Sequence, residues 1–296
     1  EERRYGLALP QAFVEGRSPR ASRLTIRGGH FYSIAGYESF AAPANVFYSH
    51  SHAFAYGTPF THTGIQASYA YDAQTTWYAG YTRGWDAWDS SADAWGVLYG
   101  FAWHNADHSR KASFVFHAGD DVTATVQNNV PRTGTRLAAH FIYEQLLFPQ
   151  VRYVAATHFG NQEDGRIVVN LGPTTITHEA AQWYGLTQYL LCQVDHRRQI
   201  VVRIEWFRDE DLSRVATPVR FNPGGPVFTG GNLYALTVGL NQRIREHLHF
   251  RPEVRYDWTD IRSNESVPGG IPGITPFGDR LEKGQLTLAA DLVWLF

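Results

Sequence analysis

Apolar and polar residues alternate along most of the chain, most clearly over 284–296. There Leu286, Leu288, Ala290, Leu292, Trp294 and Phe296 fall on one parity, and Gln285, Thr287, Ala289, Asp291, Val293 and Leu295 on the other. A period of two is that of a β-strand, whose successive side chains point to opposite faces. At about 3.3 Å per residue, a run of this length crosses a hydrocarbon layer when tilted. An apolar strand closed by an aromatic residue predicts the last strand of a transmembrane barrel, where pairing leaves no free edge.

The same alternation, bounded by turn residues, predicts about thirteen strands: 4–15, 22–34, 64–72, 75–85, 92–105, 110–119, 134–147, 151–161, 179–194, 198–209, 232–243, 246–258 and 284–296. No capped helical period competes, and no linker divides the chain, so a single all-β domain over 1–296 is expected. Short turns at 73–74, 106–109, 149–150, 195–197 and 244–245 alternate with longer segments at 35–63, 86–91, 120–133, 162–178, 210–231 and 259–283. That sorting is the signature of an antiparallel up-and-down outer-membrane β-barrel, with tight periplasmic turns and long outer loops. With a periplasmic C-terminus, an even strand count calls for an odd number of further strands before Glu1, about 16 in all.

Facing follows from parity. Over 246–258, Leu248, Phe250, Val254, Tyr256 and Trp258 oppose His247, His249, Arg251, Glu253, Arg255 and Asp257. Over 198–209, Ile200, Val202, Ile204 and Trp206 oppose Arg203, Glu205 and Asp209; over 134–147, Leu137, Ala139, Phe141 and Tyr143 oppose Arg136, His140 and Glu144. A charge facing lipid at mid-depth costs roughly 2–4 kcal/mol, so the charged parity is expected to face a wet lumen. Arg136, His140, Glu144, Arg203, Glu205, Arg251, Glu253, Arg255, Asp257 and Asp291 are the expected pore-lining residues. Those on 198–209 and 246–258 read equally as a cross-strand ion-pair ladder. Trp85, Trp183, Tyr184, Trp206, Tyr256 and Trp258 fall where an outer aromatic girdle belongs, and Trp77, Trp103, Trp294 and Phe296 where a periplasmic one does. Gln188 shares the parity of Tyr184, Leu186 and Leu190, which predicts a bulge or reversed facing there.

Composition narrows the alternatives. Of 296 residues 18% are charged and 15% aromatic, and no apolar run approaches the ~18 residues of a helical span. A net charge of −2 gives no support for nucleic-acid binding. All basic residues but Lys111 and Lys283 are arginines, which suit fixed, hydrogen-bonded charge in a crowded cavity. Cys192 is alone, so no intrachain disulfide forms.

The runs GYESFAAPANVFYSHSHAFAYGTPFTHTG (36–64), WYGLTQYL (183–190), EWFRDEDLSRV (205–215), RPEVRYDW (251–258) and ADLVWLF (290–296) resemble the putative β-barrel porin-2 family of outer-membrane proteins. The resemblance runs nearly the whole length in order; Leu212 departs from it, where the family commonly has Gly. It implies a pore-type barrel with further N-terminal strands and says little about substrates.

The segment 35–63 is too long for a plain connection and carries seven aromatic residues but one acid, Glu38. It is expected to fold into the lumen as a constriction built on Tyr37, Glu38, Phe47, Tyr48, His50, His52 and Phe54, or else to pack over the rim. Neither His50 with His52 nor His247 with His249 has a firm third ligand, so no metal is expected. Ser49 and Ser51 beside those histidines do not make a hydrolase without a spatial triad, and Asp209–Asp211 reads as a solvated loop rather than a calcium site. The expectation is a non-enzymatic, cofactor-free porin in the bacterial outer membrane. Its partners would be lipid, small solutes or ions, and a homotrimer mate or other envelope proteins. A scaffold barrel, plugged by its loop or a partner, is the competing reading.

Overall fold

Thirteen antiparallel strands form one sheet in which each strand pairs with its neighbours in sequence. They are β1 (Ala12–Arg17), β2 (Leu24–Tyr32), β3 (Thr61–Ala70), β4 (Thr75–Thr82), β5 (Gly96–His104), β6 (Arg110–Gln127), β7 (Val130–Phe148), β8 (Val151–Asn170), β9 (Thr175–Gln193), β10 (Arg198–Asp209), β11 (Gly231–Arg245), β12 (Leu248–Thr259) and β13 (Gly284–Trp294). This computed structural model describes residues 9–18, 23–88, 94–127, 130–170, 175–211, 213–215, 230–261, 276–277 and 282–295, with side chains for all but 122–127, 130–132, 166–170 and 175–178. The first strand is observed from Ala12; residues 1–8 and Phe296 lie outside the described residues.

The burial of alternate residues is inverted relative to a water-soluble sheet. In β10 the inward residues Val201, Arg203, Glu205, Phe207 and Asp209 are 2% exposed or less, while Ile200, Ile204 and Trp206 face out. β12 repeats this, with Arg251, Glu253, Arg255 and Asp257 buried and Val254, Tyr256 and Trp258 exposed. On β13, Leu286, Leu288, Leu292 and Trp294 are 64–74% exposed. An apolar face this continuous is stable only against hydrocarbon or another apolar surface.

The sheet is curled, and chain length shows it. A Cβ placed on Gly57 would lie 3.2 Å from Phe207 of β10, and Thr61 already begins β3. Flat, β3 and β10 would stand about 34 Å apart, yet four residues reach at most about 14 Å. The segment 33–60 therefore lies inside the curve, and the inner face carries the buried core. Phe47 packs there with Ile142, Val154, Tyr189, Leu191 and Val201, and Trp85 with Trp183, Phe207, Leu233 and Ile261.

Three expectations are corrected. The segments 120–133 and 162–178 are not loops: β6–β7 and β8–β9 continue as paired hairpins, leaving only 128–129 and 171–174 between strands. At 18 to 20 residues, these strands reach about 60 Å, roughly twice the hydrocarbon thickness. Register shifts, between Val122 and Val126 and between Gln162 and Arg166, accommodate the apparent breakers.

Trp85 and Trp183 are not girdle residues but inner-core ones, 6% and 0% exposed. Trp183 pairs with Gly160 and lies over it; a Cβ on Gly160 would overlap the indole at 2.1 Å. Gln188 shows neither a bulge nor reversed facing. It stays on the outward parity in unbroken register with β10 and accepts a 2.6 Å hydrogen bond from the Tyr153 hydroxyl. Trp77, Trp206, Tyr256, Trp258 and Trp294 are outward and exposed, and Trp103 is half-buried on the outward parity of β5.

The outward face makes a prediction. Ile204→Arg places a guanidinium on it and should lower unfolding free energy in phospholipid vesicles by roughly 2–4 kcal/mol. An unchanged urea midpoint would show that this face does not meet hydrocarbon.

Candidate functional site

The segment 33–60 is tied locally before it meets the wall. Asn45 bridges a short 3-10 turn (Ala42–Ala44): its side chain accepts from Ser39 N at 2.8 Å and donates to Ser39 O at 2.6 Å. Pro43 suits the first turn, where its missing N–H is not needed. A π-helical turn (Ala53–Gly57) follows, with Ser51 Oγ accepting from Phe54 N and Thr58 Oγ1 donating to Ala53 O. Gly57 ends it where a Cβ would strike His158 at 2.8 Å.

Three carboxylates and three arginines then clamp this loop to the inner wall. Glu253 of β12 accepts from the backbone N–H of Tyr48 at 3.0 Å and of Ser49 at 3.2 Å. Glu205 of β10 accepts from His52 N at 2.6 Å and is ion-paired to Arg203 at 2.7 Å and Arg255 at 3.0 Å. The loop's Glu38 returns the pattern, accepting from Arg203, from the Tyr189 hydroxyl at 2.7 Å and from Ser51 N at 2.8 Å.

The arginines complete it through the loop's carbonyls. Arg203 donates to Ser49 O and Ser49 Oγ and lies over the Phe47 ring at 4.8 Å. Arg255 donates to His50 O, and Arg251 to the carbonyls of Ala42 and Asn45. Arg255 also holds Asp257, which meets His52 Nε2 at 3.2 Å; Arg251 holds Asp291 of β13. Burial alone would raise the Glu38 carboxyl, but the Arg203 guanidinium and the His50, Ser51 and Tyr189 donors hold it down at about 2.

Toward the long-loop end a second set of contacts closes the inside. Asp209 accepts from the backbone N–H groups of Ser213, Arg214 and Val215, drawing these three residues inward. Arg214 donates to Tyr56 O and lies over Trp183 at 4.8 Å and Trp85 at 5.3 Å. Arg136 pairs with Asp121 at 2.7 Å and also lies over the Trp85 ring, at 4.6 Å. Asp209 is thus fully buried, which corrects its reading as part of a solvated loop.

Parity placed the ten expected lining residues on the inner face, and the structure brings six of them together: Arg203, Glu205, Arg251, Glu253, Arg255 and Asp257. They are covered rather than wet. Each is 7% exposed or less because the loop's backbone occupies the place expected for water. Arg136 and His140 are also buried, while Glu144 remains partly open, paired with Lys111 and Arg152.

In the loop, Tyr37 packs on Tyr189 at 4.7 Å, and His50 stacks on Phe54 at 4.1 Å. Phe47 and Phe54 are buried, whereas the Tyr48 ring is exposed. Ser49 and Ser51 Oγ are engaged by Arg203 and Phe54 N respectively. Among the described residues no three His, Cys, Asp or Glu side chains are grouped to hold a metal ion.

Sequence reading missed Tyr189 and Arg214, whose loop partners Glu38 and Tyr56 lie 151 and 158 residues away, and Asp121, which fell in a segment read as a loop. It named His140 among the lining residues but missed the buried histidines beside it on the inner face, His62, His117 and His158. His62 stacks on His117, and His140 on His158 beside a small cavity of about 20 Å3. Their shared inward parity was the available signal.

The family model described as putative beta-barrel porin-2, OmpL-like, matches residues 1–296, and the chain belongs to that family. No curated protein matches the chain. No helix of the described residues is long and apolar enough to cross a membrane.

The clamp yields two predictions. Glu205→Ala leaves two buried arginines short of a partner, a loss of about 3–5 kcal/mol, and should speed amide exchange over 46–52 by about a hundredfold or more while the strands stay protected. Unchanged exchange there would show that the loop is held by packing alone. Glu38 has a depressed folded value, so its contribution is complete above the ordinary carboxylate range and is lost as pH falls through about 2. Exchange at Ser51, corrected for intrinsic rate, should therefore stay slow through pH 5; a release already at pH 5 would contradict the pairing.

Proposed function

We propose that the protein is an outer-membrane barrel of porin type that passes small hydrophilic solutes or ions by diffusion around a clamped inner loop. The observation that carries this is the inversion of the sheet, with leucine, isoleucine and tryptophan outside and arginine and carboxylate inside. A wall of that kind is built to separate hydrocarbon from a polar interior. Membership of a porin-like family supports the same reading. No chemical step is invoked; selectivity would come from fixed charge and bore.

The loop makes the passage narrow. It fills the inner side of β9–β12, so the remaining polar space lies toward the short-turn ends. One opening there, of about 270 Å3, is lined by Gln74, Trp103, His104, Lys111 and Glu144. The depth of the clamp favours a second reading, a scaffold barrel sealed by its own loop.

Planar-bilayer recording separates the two. A porin gives small, ohmic single-channel steps that grow about twofold or more in Glu205→Ala with Glu253→Ala. Silence from wild type and variant alike, with the heat-modifiable gel migration of a folded barrel, would establish the scaffold.

A further inference from the structure

Below the clamp, at the short-turn end of β9–β12, the inner face holds a second concavity of about 230 Å3, roofed by Pro43 and Asn45 of the loop. Its floor is unusual in charge. Arg243 N donates to Arg197 O at 2.8 Å, which sets the two arginines side by side across β10 and β11. Arg243 is also the cross-strand partner of His249 on β12. Arginines directly opposed on neighbouring strands destabilise a sheet.

Among the described residues that line the concavity there is no carboxylate to offset that repulsion. Two acids at this end of the wall are paired with other arginines, Asp195 with Arg198 and Asp291 with Arg251. Higher on the same wall every arginine of the clamp has its acid, so the contrast is local. Two polar atoms buried here also lack a protein partner, His249 Nε2 and Asn241 Oδ1.

We propose that this concavity is a binding site for a small phosphate-type oxyanion, either inorganic phosphate or a phosphate monoester. The forked guanidinium groups of Arg197 and Arg243 match its oxygens. The imidazole of His249 adds a donor through Nε2, and Asn241 Oδ1 accepts the O–H that a hydrogen phosphate retains. The space accommodates one such anion with a few waters. The site does not depend on solute passage, since an anion can sit there in a conducting or a sealed barrel.

The test is calorimetric titration of inorganic phosphate into the folded full chain in neutral detergent, where conductance plays no part. Saturable binding is expected with a Kd below about 10 mM. Arg197→Gln and Arg243→Gln should each weaken it about tenfold, and Arg243→Lys by about threefold or less. Arg110→Gln, an exposed arginine at another turn, should leave it unchanged. Absence of saturable binding to the wild type, or equal affinity in Arg197→Gln, Arg243→Gln and wild type, would overturn the proposal. If a glutamine variant fails to fold, phosphate protection of amide exchange over 193–199 and 241–249 in the wild type decides: protection supports the site, and none overturns it.

Discussion

The structure depends on buried charge being fully paired. An isolated arginine or carboxylate taken from water costs several kcal/mol, and the inner face of β10 and β12 buries seven such groups. What makes this tolerable is the loop, whose N–H groups at Tyr48, Ser49, Ser51 and His52 fill carboxylate lone pairs. Its carbonyls at Ala42, Asn45, Ser49 and His50 take the guanidinium protons. Loop and wall are therefore complementary. The wall charges need a cover with unspent backbone groups, and the aromatic loop needs a surface to leave solvent for.

The same arrangement explains how much could be read from residues alone. Alternation reveals which way a side chain points, and the inward parity of Arg203, Glu205 and Arg255 was legible for that reason. It does not reveal what lies over the side chain, so their dryness was not. Trp183 and Tyr184 show a case where parity held more than was taken from it. Adjacent strand residues face opposite ways, so both could not join an outer girdle. Gly160, the flat seat beneath Trp183, is visible only once β8 and β9 are in register.

Turn residues misled in the other direction. The segment 120–133 read as a loop between strands, yet the ladder runs on through it as far as the pair Gln127 and Val130. Gly165 and Asp164 were read the same way and sit within a register shift of β8. Local breakers end a strand only if the pairing partner cannot bulge around them. The outcome is a wall of uneven height, with β6 to β9 standing above the remaining strands.

The separation between the loop and its seat has a consequence for assembly. The loop leaves β2 early in the chain, while Arg203, Glu205, Glu253 and Arg255 follow some 150 to 205 residues later. Loop closure over such distances is entropically expensive and slow, and here it needs β10 to β12 already in register. Until then the loop has nothing to satisfy its backbone. The nascent wall must stay hydrated on the very face that ends up dry, so water leaves the space beneath the loop last, as the loop comes in.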